Sequence, residues 1–282
     1  MSTSAALDQM NFTGGYPIGK DFAPSLIFSL IYVALVPVVI YRWTRPVSRC
    51  RSLIYPTLFV VIRIGSFILR TVMSKVNYGK GTFIAELVLL AVPFFLITST
   101  TIDLWERHVA SGVSVDAQPL WLQRVCRFQQ LGLLAATIMS IVSSAMSGGS
   151  DPNIDLINRL RKASYLVSLA VVVTTFGGVL MCHGQLGLRT HGAVVLLSLC
   201  TGLFVTTVYS IARVFTTNAG AWVRSRAAYY VLWAAVEVVL IGILLGIAIP
   251  VLFPGATEVE DERRSEQYML KETAEGNAEE TA

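Results

Sequence analysis

The chain has 282 residues, of which 54% are hydrophobic and 14% are charged, and its mean hydropathy is +0.62. Soluble globular domains carry about 25% charged residues, so this composition excludes a soluble domain and indicates a protein with several membrane-spanning segments. The net charge at pH 7 is +4. We expect membrane lipids as the surroundings and partners of this chain, and no nucleic acid.

Apolar runs of about 20 residues, the length that crosses roughly 30 Å of hydrocarbon as a helix, occur seven times. They predict helices at about residues 23–41, 53–72, 82–104, 128–146, 163–182, 194–214 and 227–249. Stretches such as "SLAVVVTTFGGVLM" are apolar on every face, whereas the strands of a membrane barrel alternate between apolar and polar residues. The predicted fold is an all-α membrane protein, a seven-transmembrane-helix bundle within residues 23–253.

Residues 1–22 are polar and lack the basic, apolar and small-residue regions of a cleavable signal peptide. We expect them to form a short lumenal or extracellular segment. The first loop contains four arginines, at positions 42, 45, 49 and 51, and cytoplasmic loops are enriched in arginine and lysine. The sequence therefore predicts the N-terminus outside and the C-terminus in the cytoplasm, in the plasma membrane or an endomembrane of the secretory pathway. A glycosylation sequon at Asn11 agrees with this orientation.

Arg63, Glu86 and Glu237 are ionisable residues deep within the predicted helices, and Arg70 lies nearer a helix end. A charge at the bilayer centre costs roughly 2.5–3.5 kcal/mol on insertion scales, so such residues normally face a partner or a wet cavity. Arg63 and Glu237 are each about ten residues from their helix starts, near the midplane. Glu86 lies at the level of Arg70, which shares a helix face with Arg63. We predict two ion pairs, Arg63 with Glu237 and Arg70 with Glu86.

Two interpretations of these four residues stay open at this point. In the first, the pairs only fix the packing of the helices. In the second, they form a polar core that handles a substrate or a proton, and Arg63, Glu237, Arg70 and Glu86 are then substrate-binding residues. The pattern identifies no catalytic residue and no cofactor site.

The remaining chemistry-bearing residues predict little. Three histidines and four cysteines are too scattered for a zinc cluster, so we expect no metal site, and we expect no disulfide. Residues 254–282 contain nine acidic and three basic residues and few large apolar ones, which predicts a disordered cytoplasmic tail. Such a tail is either a solvated extension or the docking site of a cytoplasmic partner.

Seven helices invite comparison with rhodopsins and receptors, and the sequence argues against both. No lysine occurs in the last predicted helix, so a retinal Schiff base cannot form there. The triplet "ERH" at 106–108 has the place of a receptor motif, but the receptor motifs of helices 6 and 7 are missing. In helix 7, "GILLG" from Gly242 to Gly246 is a small-residue pattern that we interpret as intramolecular helix packing, with a dimer contact as the alternative.

Several stretches carry a resemblance to a known family. They are "FVVIRIGSFILR" in helix 2, "AELVLLAVPFFLITSTTIDLWERH" in helix 3, "RLRKASYLVSLAVVV" opening helix 5, and "VYSIARVF" with "YYVLWAAVEVVLIGILLGI" in helices 6 and 7. Over residues 23–250 the chain resembles a domain-of-unknown-function family of fungal seven-helix membrane proteins, similar in layout to the fungal RTA-like lipid-translocating exporters. The resemblance implies a glutamate, Glu237, that follows an aromatic approach and precedes Gly242. The further acidic residue of the exporters and the histidine beside the glutamate are absent.

The resemblance implies that this protein binds or translocates an amphipathic lipid or hydrophobic small molecule, with a headgroup held near Arg63 and Glu237. One alternative is an integral-membrane enzyme resembling terpene cyclases, in which Glu86 and Glu237 act as acids in an apolar cavity. Because neighbouring arginines would oppose that role, the sequence favours a protein that is not an enzyme. The other alternative is a seven-helix receptor or scaffold that signals through the acidic tail.

Overall fold

The computed structural model describes residues 15–45, 48, 50–112, 120–147, 153–216, 218 and 220–253. All regular structure in these residues is helical. The long helices are α1 (Phe22–Thr44), α2 (Ile54–Met73), α3 (Lys80–Ala110), α4 (Leu120–Met146), α5 (Ile154–Leu186) and α6 (Thr190–Phe215). Helix α7 (Arg226–Gly246) is followed by the short α8 (Ile249–Leu252).

Seven of these helices, α1 to α7, are long and apolar enough to cross a membrane, which confirms the prediction of a seven-helix membrane protein. Their lipid-facing sides are apolar: Val61 and Leu30 are 59% exposed and Phe128 is 73% exposed. The buried side contains aromatic residues together with charged ones, among them Arg63, Arg70 and Glu86. The bundle thus has an apolar outside, as a bilayer requires, and its charged membrane-depth residues lie in the interior.

Three helices extend well beyond the predicted boundaries, because hydropathy marks the hydrocarbon core and not the helix ends. Helix α5 has 33 residues, or about 50 Å at 1.5 Å per residue, against a hydrocarbon core of roughly 30 Å. Asn153 caps its start, accepting a hydrogen bond from the Leu156 amide at 3.1 Å. Gly187 ends it in the left-handed conformation, with φ at 59°, which glycine adopts without strain. Helices α3 and α4 likewise continue to Ala110 and from Leu120.

The predicted helix at about residues 227–249 is present as α7, and the structure adds two details to it. Residues Tyr230–Ala235 form a π-helical segment inside α7. The helix then ends at Gly246, and Ile247 and Ala248 have ψ angles of 141° and 93°. Pro250 explains this break, because proline lacks the amide hydrogen that would continue the helix. The carbonyl of Ile247, at this break, accepts a hydrogen bond from Arg42 of α1.

Each of the helices α1 to α6 packs against the next helix in sequence. In addition, α6 packs against α3, and α7 contacts α1 and α2. Helix α3 further contacts α5, so that α3 and α7 lie at the centre of the bundle. This arrangement brings α2, α3 and α7 together, and these three helices carry the four charged residues singled out from the sequence.

The interpretation of "GILLG" as an intramolecular packing motif is wrong. A Cβ atom at Gly242 or Gly246 would meet no atom within 4 Å, and both glycines are exposed. Close helix contacts occur at other glycines. A Cβ at Gly202 of α6 would lie 2.5 Å from Leu240 of α7, and one at Gly178 of α5 would overlap the indole of Trp105 in α3.

Two predictions concern residues outside the described part of the chain. They are the sequon at Asn11 and the acidic tail at 254–282, and both stay predictions.

Candidate functional site: a buried polar core

The predicted pairing of Arg63 with Glu237 is confirmed. Arg63 Nη2 of α2 lies 2.5 Å from Glu237 Oε1 of α7, and their side chains are 0% and 1% exposed. Arg63 Nη1 also donates to the carbonyl of Leu90 in α3 at 3.3 Å. The guanidinium therefore joins three helices, and we call Arg63 and Glu237 the central pair.

Aromatic rings enclose the central pair. The guanidinium carbon of Arg63 lies 4.2 Å from the ring centre of Trp233 and 5.5 Å from that of Phe59, at distances where a cation is attracted to the face of a ring. Tyr32 of α1 packs edge-on against Phe59, with ring centres 6.0 Å apart. The walls around the pair are thus apolar faces that exclude water and strengthen the ionic interaction.

Three polar atoms around the central pair are buried without a hydrogen-bond partner among the described residues. They are Glu237 Oε2, Arg63 Nε and the hydroxyl of Tyr32. A buried polar group without a partner costs about 1–3 kcal/mol. Native interiors contain few such groups, and here an acceptor and two donors surround one ion pair.

The second predicted pairing, of Arg70 with Glu86, is also confirmed: Arg70 Nη1 and Glu86 Oε1 form a fully buried ion pair. Arg70 further lies over the ring of Tyr229, with its guanidinium carbon 5.2 Å from the ring centre. Its Nε donates to the Tyr230 hydroxyl at 3.4 Å. One side chain of α2 thereby contacts both α3 and α7.

Asp21 is a member of the core that the sequence reasoning missed. It was placed in the polar segment of residues 1–22, yet it ends the short 3-10 turn Gly19–Asp21 that leads into α1, and it is 0% exposed. Asp21 Oδ2 forms an ion pair with Arg226 and lies 3.6 Å from Arg70 Nη2. Tyr230 donates to Asp21 Oδ1 at 3.1 Å. We call Asp21, Arg70, Glu86, Arg226 and Tyr230 the terminal cluster.

The first described residues cover the terminal cluster. The carbonyl of Gly15 accepts from Arg70 at 3.3 Å, and that of Tyr16 accepts from Arg226 at 2.8 Å. The ring of Tyr16 stacks on Phe83 of α3, with ring centres 4.8 Å apart. This part of the predicted lumenal or extracellular segment is therefore built into the end of the bundle.

The π-helical segment of α7 places the aromatic residues of the core. Tyr229, Tyr230 and Trp233 are 0%, 8% and 4% exposed, and each contacts an arginine of α2. A π-helical turn is rare and is frequent at functional sites. No glycine or proline lies within "YVLWAA", so the sequence offers no signal for it.

The core as described contains three arginines and three carboxylates. Acid catalysis by Glu86 and Glu237 would require protonated carboxyl groups in an apolar pocket, but each carboxylate accepts a hydrogen bond from an arginine. A bound cation favours the ionised carboxylate. The two glutamates are thus each paired with an arginine, which differs from the unpaired carboxyl groups in an apolar pocket that the enzyme alternative requires.

Within the described residues, no group of three or more histidine, cysteine, aspartate or glutamate side chains is placed to hold a metal ion. Cys50, Cys126, Cys182 and Cys200 are buried free thiols. Comparison of the chain with protein-family models, curated proteins and solved structures found no match. The resemblance to the fungal seven-helix family therefore stays a prediction from the sequence stretches quoted above.

Proposed function

We propose that this protein binds or translocates an amphipathic lipid or hydrophobic small molecule through the polar core of its bundle. The observation that carries the proposal is the set of unpartnered atoms at the central pair, namely Glu237 Oε2, Arg63 Nε and the Tyr32 hydroxyl. A pair that served packing alone could be replaced by apolar side chains at little or no cost. Polar atoms that stay unpartnered add a further cost, which a bound polar headgroup would offset.

The proposed mechanism is an exchange of ionic partners. An anionic headgroup that approaches Arg63 competes with Glu237, so Glu237 must take up a proton or move aside as the headgroup binds. Protonation would leave the carboxyl group neutral and able to donate a hydrogen bond. Binding is then linked to a proton, and the aromatic rings of Trp233 and Phe59 keep the guanidinium shielded while its partner changes.

We further propose the orientation and location predicted from the sequence. The arginines of the first loop place it in the cytoplasm, so the terminal cluster lies at the lumenal or extracellular end. The membrane is the plasma membrane or an endomembrane of the secretory pathway. A translocated molecule would pass between the central pair and the terminal cluster. Helix α2 connects these two sites, because it carries Arg63 of the first and Arg70 of the second.

The test is native mass spectrometry of the purified full-length protein, released from detergent. We expect a defined lipid or metabolite to co-purify with the wild type and to be lost in Glu237→Gln. Tyr32→Phe is the second variant, since it removes only a hydroxyl that has no partner among the described residues. It should leave thermal stability unchanged or raise it, because an unpartnered buried hydroxyl is a cost to the folded state, and it should reduce the bound fraction.

Asp155→Asn is the matched control, because Asp155 is an exposed carboxylate in the first turn of α5. It should retain the bound molecule at the wild-type level. The proposal fails if nothing defined co-purifies with the wild type, or if Glu237→Gln and Tyr32→Phe both bind as the wild type does. In those cases the central pair serves packing alone.

A further inference from the structure

A cavity of about 40 Å³ lies between α3, α4, α5, α6 and α7, next to the central pair. Its polar side contains Arg161 of α5 and Ser140 of α4. Its apolar side contains Leu87, Leu90 and Phe94 of α3 and Trp233 of α7. The cavity therefore has a cationic side and an apolar side, and its serines on α4 belong to a run that the sequence offers either as the lining of a polar entrance or as hydroxyls bonded to their own helix backbone.

The polar side of the cavity presents two hydrogen-bond donors. Arg161 is 7% exposed and carries a permanent charge with five N–H groups in a planar fork. Ser140 is also 7% exposed, and its hydroxyl forms no hydrogen bond with any described residue. An acceptor group that enters the cavity can thus receive hydrogen bonds from a guanidinium and from a hydroxyl.

Three other hydroxyls of the lining are already used as donors. Ser144 donates to the Ser140 carbonyl at 2.9 Å, Thr207 donates to the Leu203 carbonyl at 2.7 Å, and Ser210 donates to the Thr206 carbonyl at 2.8 Å. Such bonds to the preceding helical turn are the usual state of hydroxyls in membrane helices. Arg161 supplies the positive charge on this side of the cavity, Ser140 supplies a hydroxyl that none of these bonds uses, and Tyr165 also lines the cavity.

The size of the cavity limits which polar groups a ligand can place in it. One water needs roughly 10–15 Å³ on this scale, so the cavity holds about three waters. A carboxylate group has three heavy atoms and fits this space, whereas a phosphate group has five. A planar carboxylate also matches the fork of an arginine. The apolar continuation of the ligand would lie along α3, where Ala91 and Phe94 are partly exposed.

We propose that this cavity binds the carboxylate of an amphiphile with one apolar chain, with Arg161 and Ser140 donating hydrogen bonds to the carboxylate oxygens. This inference rests on the proposed function and names the class of its ligand. The carboxylate comes either from a short free acid or from a fatty acid of the membrane, and both sources share the same head chemistry.

Trp233 connects this cavity with the central pair. The indole forms part of the cavity wall, and the Arg63 guanidinium lies 4.2 Å from its ring centre. Leu90 likewise lines the cavity and accepts a hydrogen bond from Arg63 through its carbonyl. A ligand in the cavity would contact Trp233 and Leu90, the two residues that also contact Arg63. These shared contacts would couple binding in the cavity to the central pair.

The experiment measures equilibrium binding of radiolabelled butanoate, octanoate and hexadecanoate to the full-length protein in detergent. Octyltrimethylammonium is the control for head charge and should not bind. We expect Arg161→Gln to weaken carboxylate binding by about 10- to 100-fold, the range for a charge-assisted hydrogen bond. Ser140→Ala should weaken it by about 3- to 10-fold, the range for a neutral bond.

Ala91→Leu tests the cavity without changing a charge, because three added carbons fill the space of about three waters. The matched controls lie on the same helices: Arg159→Gln on α5 and Ala85→Leu on α3, both at exposed positions. The controls should bind as the wild type does. Folding of each variant is checked by its elution as a single species, and Ser140→Ala keeps the test valid if Arg161→Gln does not fold.

Preference for butanoate would assign the site to a free acid, and binding of hexadecanoate alone would assign it to a membrane lipid. The inference is overturned if no carboxylate binds, or if binding is unchanged in Arg161→Gln, Ser140→Ala and Ala91→Leu. Its failure is distinct from failure of the proposed function. A co-purifying molecule that depends on Glu237 but not on Arg161 would refute the cavity alone, whereas carboxylate binding without any effect of Glu237→Gln would refute the role of the central pair.

Discussion

Arg63 and Glu237 illustrate how an ion pair in an apolar interior differs from one at a surface. Both side chains are almost completely buried, so the free energy of desolvating each charge is recovered only while the partner is present. Removing one partner leaves a buried charge uncompensated, whereas removing both leaves an apolar site. The folded protein is therefore destabilised more by the loss of one of the two side chains than by the loss of both.

We predict that Arg63→Met and Glu237→Leu each lower the free energy of unfolding by about 3–5 kcal/mol, and that the double variant is closer to the wild type than either single variant. Thermal unfolding in detergent measures this, with Arg159→Gln at an exposed position of α5 as the control. Additive losses in the double variant would show that the two side chains are not energetically coupled.

For individual residues, both ion pairs were predicted from the sequence, because depth in the membrane and helix direction restrict which charges can meet. It did not predict that Asp21 joins them. A single acidic residue before an apolar run is typical of a solvated helix start, and nothing in "GKDF" distinguishes a buried aspartate from an exposed one. The partners that reveal it, Tyr230 and Arg226, lie more than 200 positions away.

The packing of α3 against α5 depends on a contact between one large residue and one small one. A Cβ at Gly178 would lie 2.5 Å from Cη2 of Trp105, whereas a Cβ at the neighbouring Gly177 would meet nothing within 4 Å. Trp105 is 0% exposed, so its ring has no space into which to move. Two adjacent glycines thus have opposite packing environments.

We predict that Gly178→Ala lowers the free energy of unfolding by about 1–3 kcal/mol through overpacking. Gly177→Ala should be neutral or stabilising by up to about 1 kcal/mol, since alanine favours a helix more than glycine does. Thermal unfolding of the two purified variants side by side measures the difference. Equal stability of the two would contradict the close contact at Trp105.

Among the elements, the seven long helices were predicted because each contains a continuous apolar run. The π-helical segment of α7 was not, since no local pattern in its sequence encodes it; in the structure its residues Tyr230 and Trp233 pack against arginines of α2. The predicted helix stopped directly before Pro250, and the structure ends it three residues earlier, at Gly246, within a run that is apolar throughout.

For the whole molecule, the number of helices follows from composition, but the orientation depends on a small excess of arginine in one loop. We predict that Arg189→Cys, between α5 and α6, is labelled by a membrane-impermeant maleimide in sealed vesicles with the cytoplasmic face outward. Asn77→Cys, between α2 and α3, should be labelled only after detergent is added.

Both positions are exposed, and the four native cysteines are buried, so the background labelling should be low. The opposite pattern would reverse the orientation and place the terminal cluster at the cytoplasmic end. It would leave the ion pairs and the cavity unchanged, because neither depends on which side of the membrane the chain begins.

The separation of the paired charges along the chain has a consequence for biosynthesis. Glu86 follows Arg70 by 16 residues, so at roughly 5–20 residues per second that pair is complete within about 1–3 s of translation. Glu237 follows Arg63 by 174 residues, which takes about 9–35 s at the same rate. During that interval α2 must be held by the insertion machinery or remain near its aqueous channel with an uncompensated arginine. A chain truncated before α7 therefore lacks the carboxylate that pairs with Arg63, and its second helix carries the uncompensated cost of a charge in the hydrocarbon core.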